Sequence, residues 1–319
     1  MGGRKVNRRS FLSWSAAGLA GTASIAGNDR RANPAPAAPQ SSQRFTLNYA
    51  PHFGMFQHSG GEMLVDQLKF AADQGFTAWE DNGMKDRPVA VQEQIAGNMQ
   101  QLGMQMGVVS ATRGLNHLVS FAGGNQNARD QVLRSMEKIV DVARRVNAKH
   151  LTVVPGMAHR RLPEDYQTAS CIELLKRCAD IVEPHGLIMV LEPLNRITNH
   201  PGVFLHGAPQ AYLLCKAVNR PSCKILFDIY HQQITEGNLI PNIDRCWDEI
   251  AYFQSGDNPG RNEPGTGEIN YQKIFQHIYA SGYRGVVGME HGNSRSGGDG
   301  ERAVIAAYHR VDPPPAEQS

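Results

Sequence analysis

Four residues with side-chain oxygens end apolar stretches of this sequence. Spacings of 36, 26 and 36 residues separate Glu192, Asp228, Gln254 and Glu290. A lone carboxylate in such a place is usually a solvated surface group. Three carboxylates brought together repel one another unless a cation lies among them. All-oxygen ligation suits Mg²⁺ or Mn²⁺ better than Zn²⁺, so the pattern predicts a site for a hard divalent cation.

Each spacing matches one strand followed by one helix. From residue 44 onward, short apolar runs alternate with longer stretches of helical period. We predict eight strands, over residues 45–50, 76–81, 104–110, 149–154, 187–192, 223–228, 250–255 and 285–290. Nearly continuous apolar strands separated by helices are typical of a parallel sheet that is covered on both faces. The sequence therefore predicts an α/β fold, a (β/α)8 TIM barrel, in which the four strand ends surround one mouth.

An open doubly wound sheet is the alternative arrangement of these elements. Its dinucleotide-binding form carries G-x-G-x-x-G after the first strand. This chain has NYAPHFGMF there, over residues 48–56. The closed barrel is therefore favoured.

Further polar side chains follow other predicted strands. His231 lies three residues beyond Asp228, where it could reach the same mouth to support a ligand or to bind substrate. A solvated loop histidine is the alternative interpretation. His52, Glu80 and Arg113 follow the first three strands and give weaker evidence of the same kind. We assign His231 and His52 to substrate binding.

The loop after the seventh predicted strand combines charges with turn-forming residues. PGRNEPGTGEINY, residues 259–271, has three glycines and two prolines, which a surface turn explains by itself. Arg261, Glu263 and Glu268 are not explained by turning. Because the loop follows a strand end, Arg261 could clamp a substrate carboxylate, and Glu263 could fix Arg261 or bind a substrate hydroxyl. Surface ion pairs are the alternative.

The N-terminus differs from the rest of the chain. Arg8-Arg9 precedes Ser-Phe-Leu and a weakly apolar stretch to Ala26, which is typical of a twin-arginine export signal. A chance basic N-terminus is the alternative. We predict a signal over residues 1–26, a Pro/Ala-rich linker over 27–43, the barrel over 44–310 and a tail over 311–319. The protein is then expected in the periplasm, with no stable membrane span.

Composition limits the classes of partner. The chain has 319 residues and a formal charge of +2, but six of its 32 basic and one of its 30 acidic residues precede residue 44. The remainder carries −3, which argues against a nucleic-acid surface. Five cysteines lie scattered through apolar patterns and are expected to be buried free thiols. We expect a small-molecule partner, a hydroxy-keto acid or a sugar, and the sequence also allows a homo-oligomer.

Four segments resemble the xylose-isomerase-like barrels, and among them the hydroxypyruvate isomerases. They are LEPLN around Glu192, FDIYHQQITEGNL from Phe227, FQSGDNPGRNEPGTGEINY from Phe253, and GMEH around Glu290. The resemblance extends from about Phe45 to about Tyr308. The third segment discriminates most, because related ketose epimerases usually have histidine in place of Gln254. Hydroxypyruvate isomerases are similar to this chain at that position and in the motif that follows it.

The resemblance implies a ligand set and a reaction. The implied metal ligands are Glu192, Asp228, Gln254 and Glu290, and the two glutamates are the implied proton donor and acceptor. The implied reaction interconverts hydroxypyruvate and tartronate semialdehyde through an enediolate, with a divalent cation that stabilises the developing charge. A ketose 3-epimerase or an inosose-type dehydratase could use the same site.

Two alternatives come from other classes of protein. An abasic-DNA endonuclease shares the barrel, but it uses several zinc ions, many histidines and a basic face, which this sequence does not show. A non-catalytic sugar-binding barrel would not need both Glu192 and Glu290 as proton-transfer groups. The enzyme interpretation is therefore favoured.

Overall fold

The computed structural model of the chain describes residues 44–315. The predicted export signal and linker and the end of the predicted tail lie outside this range. The strands are β1 Asn48–Ala50, β2 Ala78–Trp79, β3 Gln105–Met106, β4 Val108–Ser110, β5 His150–Val153, β6 Ile188–Leu191, β7 Cys223–Asp228, β8 Ile250–Ser255 and β9 Val286–Met289. Each lies inside one of the eight predicted runs, and the third run is divided into two strands.

The strands follow one another around a barrel as parallel neighbours. Seven pair in the order β1-β9-β8-β7-β6-β5-β4, and β2 pairs with β3. β3 and β4 are two parts of one barrel strand, interrupted at Gly107. A parallel bridge between His52 and Glu80 connects the ends of β1 and β2. The predicted eight-stranded barrel is confirmed.

Helices connect successive barrel strands. Among residues 44–315 they are α1 Gln57–Gly60, α2 Leu64–Asp73, α3 Val89–Leu102, α4 Gln126–Arg145, α5 Glu164–Val182, α6 Ala208–Val218, α7 Ile229–Thr235, α8 Leu239–Arg245, α9 Tyr271–Ala280 and α10 Gly297–Val311. The short helix α7 directly follows the end of β7 at the mouth, and the short helix α1 follows β1 after six residues. None of the helices in this range is both long and apolar enough to cross a membrane.

Helix α4 shows why these segments are helical. The side chain of Asn125 caps its first turn by accepting from Ala128 N at 3.1 Å, and arginines occupy its last turn. Val132, Met136 and Ile139 recur at helical spacing, and all three are fully buried. This face packs in the main core between the strands and the helices. The five cysteines are buried and unpaired, as expected.

The interior of the barrel positions the mouth residues through strand periodicity. One buried cluster within the barrel comprises Ala50, Ala78, Val108, Val190, Leu226, Tyr252 and Val286. Side chains two positions apart along a strand point to the same side of the sheet. Glu80, Glu192, Asp228 and Gln254 each lie two positions beyond a member of this cluster. The strands therefore direct all four side chains into the barrel at its carboxyl-terminal mouth.

Candidate active site

The four predicted strand ends meet at this mouth. Asp228 pairs with Gln254 across β7 and β8, and Gln254 pairs with Gly288 across β8 and β9. Glu192 directly follows β6, and Glu290 directly follows β9. Three of these side chains are buried, whereas 31% of the Glu290 side chain is exposed. The structure thus brings together the residues that the sequence spacing singled out.

Arg261 connects two of the carboxylates. Its Nη2 donates to Asp228 Oδ2 at 3.0 Å and to Glu290 Oε2 at 2.7 Å. Its Nε donates to the main-chain oxygen of Glu290 at 3.0 Å, and its guanidinium lies 4.7 Å from the centroid of the Tyr230 ring. Burial opposes the charged form, but the carboxylates outweigh it and raise the pKa of Arg261. The guanidinium therefore partly neutralises the acidic group.

The loop that carries Arg261 is anchored from within. The buried carboxylate of Asp257 accepts from the main-chain N–H groups of Asn258 at 2.9 Å, Gly265 at 2.7 Å and Ile269 at 3.1 Å. Arg261 itself adopts a left-handed backbone conformation, with φ of 52°. Such a conformation costs a non-glycine residue roughly 1 kcal/mol, which the surrounding contacts must offset. The loop thus holds the guanidinium at a fixed place above the strand ends.

Glu80 forms a second polar cluster beside these residues. Its carboxylate accepts from Tyr252 Oη at 2.9 Å, from Gln254 Nε2 at 2.7 Å and from Asn82 Nδ2 at 3.1 Å. Asn82 Nδ2 also lies 3.3 Å from Glu290 Oε1. Gly288 makes room for this cluster, since a Cβ at that position would overlap Glu80 Oε2. Because Gln254 donates through its nitrogen, its Oε1 stays buried without a protein partner.

Three glutamates at the mouth, Glu80, Glu192 and Glu290, hold their protons more tightly than free glutamates do. Burial, with repulsion from Glu290, raises the pKa of Glu80 to about 8. Burial also raises the pKa of Glu290 to about 7, against the opposing charge of Arg261. Burial and the charges of Glu290 and Asp228 raise the pKa of Glu192. A cation at this place would relieve the repulsion that these shifts express.

His231 faces the same carboxylates, and Asn195 determines its tautomer. Asn195 Oδ1 accepts from the main-chain N–H groups of Thr198 and Asn199, so its Nδ2 is the group that donates to His231 Nδ1, at 2.6 Å. The proton of His231 therefore lies on Nε2, which is 3.6 Å from Asp228 Oδ2. Burial lowers the pKa of His231 to about 4. His231 thus presents a neutral N–H donor to the site.

These residues fit a divalent cation. Ligand atoms of Glu192, Asp228 and His231 lie within 4.8 Å of one another. Since His231 presents an N–H rather than a lone pair, the oxygen donors are the better ligands. Gln254 Oε1 is a buried acceptor without a partner, on the strand between those of Asp228 and Glu290. Buried acceptors without partners are rare, and a cation would satisfy this one.

Three other residues singled out by the sequence have local partners. His52 contributes Nε2 to a contact of 3.1 Å with the main-chain oxygen of His291, and it lines a cavity that opens at the mouth. Glu263 is buried and accepts from Ser294 N at 2.9 Å and from Ser294 Oγ. Glu268 accepts from Gln233 and Asn258. In this structure Glu263 therefore supports a neighbouring loop, and its carboxylate forms no ion pair with Arg261.

Sequence reasoning gave too little weight to Glu80 and did not identify Asn82 or Asn195. Glu80 follows the two-residue strand Ala78–Trp79, and so short a strand gives a weak periodic pattern in the sequence. A sequence signal was nevertheless present, because Glu80 ends an apolar run in the same way as Glu192 does. Asn195 lies inside LEPLN and carries no such signal. Its role depends on the loop folding back over His231.

Comparison with known proteins identifies the family. Residues 68–310 match the family described as xylose isomerase-like TIM barrel. Because the match covers more than half of the chain, the protein belongs to this family. The crystal structure of an AP endonuclease, family 2, from Brucella melitensis is similar, with a TM-score of 0.70 and 25% identity over 84% of this chain and 100% of that chain.

The similar curated proteins are isomerases by name. Hydroxypyruvate isomerase of Escherichia coli K12 is 33% identical over 174 residues, or 54% of this chain and 66% of that protein. 2-Oxo-tetronate isomerase of Pectobacterium atrosepticum is 27% identical over 231 residues, or 72% of this chain and 86% of that protein. A Xenopus laevis relative, 36% identical over 139 residues, aligns over 50% of its length. The chain thus spans less than two thirds of the first and the last of these three relatives.

Proposed function

We propose that the protein is a divalent-metal-dependent isomerase that interconverts hydroxypyruvate and tartronate semialdehyde. The observation that carries this proposal is the buried acceptor Gln254 Oε1, on the strand between those of Asp228 and Glu290. The similarity to hydroxypyruvate isomerase of Escherichia coli supports it. In the proposed site Glu192, Asp228, Gln254 and Glu290 hold the cation, and their oxygen donors favour Mg²⁺ or Mn²⁺.

The cation, when bound, would stabilise the negative charge that develops on the substrate oxygens. The proposed reaction removes a proton from C3 of hydroxypyruvate and returns one to C2, while a proton moves from the C3 oxygen to the C2 oxygen. Glu192 and Glu290 are the proposed groups for the carbon-bound protons. No side chain among residues 44–315 donates a hydrogen bond to the Glu192 carboxylate, so it can face a substrate.

His231 and Arg261 have separate proposed tasks. The Nε2–H of His231 can donate to a substrate oxygen, because its neutral tautomer is fixed by Asn195. Arg261 holds Asp228 and Glu290 at defined positions and limits their mutual repulsion. The pKa of Glu290, raised to about 7, suits a residue that must alternate between acid and base near neutral pH, and the pKa of Glu192 is raised in the same direction.

The direct test is turnover of hydroxypyruvate by the Mn²⁺-loaded or Mg²⁺-loaded protein. We expect tartronate semialdehyde to form, and solvent deuterium to enter the carbon skeleton, only when the cation is present. A sample treated with chelator and then reloaded is the matched control. Absence of both turnover and deuterium exchange in metal-loaded, folded protein would refute the assignment.

The similarity to 2-oxo-tetronate isomerase makes a longer hydroxy-keto acid the second candidate substrate. A ketose 3-epimerase or an inosose-type dehydratase remains an alternative within the fold. The same assay with 2-oxo-tetronate, a panel of neutral ketoses and an inosose separates these possibilities. Higher kcat/KM with a neutral sugar than with either acid would favour the epimerase or dehydratase.

We also propose that Arg8-Arg9 direct export through the twin-arginine pathway to the periplasm. The support is the sequence pattern of the first 26 residues. Replacing both arginines with lysine is expected to retain the protein in the cytoplasm when cell fractions are compared. An unchanged distribution would contradict the proposal.

A further inference from the structure

A cavity of about 380 Å³ extends from the proposed site to two arginines on neighbouring loops. Glu80, Asn82 and Glu290 line it at the polar cluster described above, and Arg87 and Arg113 line it as well. Arg87 lies between β2 and α3, and Arg113 follows β4. A ligand that reaches the carboxylates from this cavity therefore meets two guanidinium groups.

Both arginines are held through one atom, which leaves the other donors available. Arg87 Nε donates to Asp81 Oδ2 at 2.5 Å, and its guanidinium lies 4.8 Å from the centroid of the Phe53 ring. Arg113 Nε donates to Asp86 Oδ2 at 2.9 Å. In both cases the two terminal amino groups can still form the parallel pair of hydrogen bonds that a carboxylate accepts.

The surface that adjoins this cavity attracts anions. A second cavity of about 400 Å³ shares Arg113 and is lined by four basic side chains, Lys85, Arg113, Arg134 and Lys138, against the single carboxylate of Asp86. Lys85 Nζ donates to the main-chain oxygens of Ala111 and Arg113, which anchors the Arg113 loop. A path lined mainly by one sign of charge raises the local concentration of the opposite ion.

Arg261 has only its Nη1 amino group left for this recognition, so it cannot offer a carboxylate a parallel pair of N–H donors. Its Nη2 already pairs with Asp228 and Glu290, and its Nε is bonded to the main chain. The substrates proposed above each carry a carboxylate that needs a counter-charge once it leaves water. Arg87 and Arg113 are the two arginines among the side chains that line the cavity at the carboxylates.

We propose that Arg113 and Arg87 bind the carboxylate of the substrate and so select hydroxy-keto acids over neutral sugars. This inference rests on the proposed isomerase function for the identity of the substrate. Because it concerns binding, it can be tested apart from turnover.

The test measures binding of D-glycerate, a three-carbon hydroxy acid that the proposed reaction cannot isomerise, to the metal-loaded protein by calorimetry. Loss of a charge-assisted hydrogen bond typically weakens binding by about tenfold or more, so we expect that effect in Arg113→Gln. Arg113→Lys keeps the charge and should recover part of the affinity. Arg144→Gln is the matched control, since Arg144 is an exposed arginine in the last turn of α4, at the opposite end of the barrel.

Kinetics provide the second readout. For hydroxypyruvate, Arg113→Gln should raise KM about tenfold while kcat stays within about threefold of the parent value, because the proton-transfer groups are untouched. Arg87→Gln should act in the same direction. Arg87→Gln also removes the ion-pair partner of the buried Asp81. Arg113→Gln is therefore the primary variant, because its partner Asp86 is exposed.

Parental glycerate affinity in both glutamine variants, or no glycerate binding by the parent, would overturn the inference. If the parent protein does not isomerise hydroxypyruvate but the variants bind glycerate more weakly than the parent, the carboxylate site is supported and the proposed reaction is refuted. Normal turnover of hydroxypyruvate with unchanged KM in both variants would support the proposed reaction while refuting the carboxylate site.

Discussion

The two halves of the barrel differ in regularity and in the charge that they bring to the mouth. Strands β6 to β9 have four to six residues each and pair in one continuous series. They lead to Glu192, Asp228, Gln254 and Glu290. Strands β1 to β4 have two or three residues, one barrel strand is broken at Gly107, and a single bridge joins β1 to β2.

This difference separates the proposed chemistry from the proposed recognition. Side chains on a continuous ladder are positioned more precisely than side chains on loops, which suits cation ligands and proton-transfer groups. The irregular half places Arg87 and Arg113 on loops, where side chains change without disturbing the ladder. The comparison therefore predicts that substitutions in β6 to β9 affect metal binding and kcat, and that loop substitutions in the first half affect KM.

The largest expected effect is at the proton-transfer pair. Glu192→Gln and Glu290→Gln each keep an oxygen of similar size for the cation but remove the carboxylate that accepts a proton. We expect kcat to fall roughly 10²-fold or more in each, with the fold and substrate binding retained. Steady-state kinetics at saturating metal measure this.

The double variant sharpens that prediction. Because the two glutamates act as a unit, Glu192→Gln combined with Glu290→Gln should be little worse than the poorer single variant. Deuterium exchange without net isomerisation in one single variant would show which glutamate removes the first proton. Near-parental turnover in both single variants, with metal bound, would exclude them as the proton-transfer residues.

Asp228→Asn is expected to weaken metal binding by about tenfold or more, since even residues that only support a ligand typically contribute that much. The variant also loses the ion pair to Arg261, while the asparagine can still cap α7 as Asp228 does by accepting from His231 N at 3.1 Å. Metal content after dialysis against buffers of graded free Mn²⁺ gives the result. Parental metal content at every concentration would remove Asp228 from the site.

Replacing one glycine by alanine in each half of the barrel allows the two halves to be compared. At Gly288 in β9, a Cβ would overlap Glu80 Oε2 and lie 2.9 Å from Gln254 Cγ. At Gly107, it would overlap Tyr252 Oη, which donates to Glu80. We expect alanine at either site to lower the free energy of unfolding by roughly 1–3 kcal/mol through overpacking.

Only Gly288→Ala should also weaken metal binding strongly, because it displaces Gln254 directly. Urea unfolding and metal titration of the two variants test this. Equal losses of metal affinity in both would mean that Glu80, rather than the position of Gln254, governs the site.

The smallest expected effect is a pH dependence at the amino-terminal end of β5. Burial, with the neighbouring charge of Lys149, lowers the pKa of His150 from 6.5 to about 4. The unfolded chain therefore takes up this proton first as the pH falls. The contribution of His150 to stability should therefore fall from pH 6.5 toward pH 4, by roughly 1–2 kcal/mol between pH 6.5 and 5.

His150→Gln should remove that part of the pH dependence and leave metal binding unchanged, because His150 lies at the opposite end of its strand from the mouth. Chemical unfolding at pH 6.5 and pH 5 provides the comparison with the parent. The same pH dependence in the variant would assign the effect to another buried group.

The fold and the acidic half of the site could be predicted because both depend on local patterns. Apolar runs separated by helical stretches indicated the strand order, and a period of two carried Asp228 and Gln254 from the buried positions Leu226 and Tyr252 into the mouth. Glu80 was singled out only as weaker evidence, because its strand is only two residues long. The third strand was expected to be continuous, and its break at Gly107 lies where the Tyr252 hydroxyl approaches the backbone from across the barrel.

What the sequence determined by itself is the series of strands and the residues that end them, because hydrophobic periodicity is a property of neighbouring positions. Only the tertiary structure decided which partners those residues take. Arg261, the predicted substrate-binding residue of its loop, is bonded to Asp228 and Glu290, and Gln254 is oriented by Glu80, 174 positions away. Such contacts depend on the closure of the barrel and on the path of each loop, which no local pattern encodes.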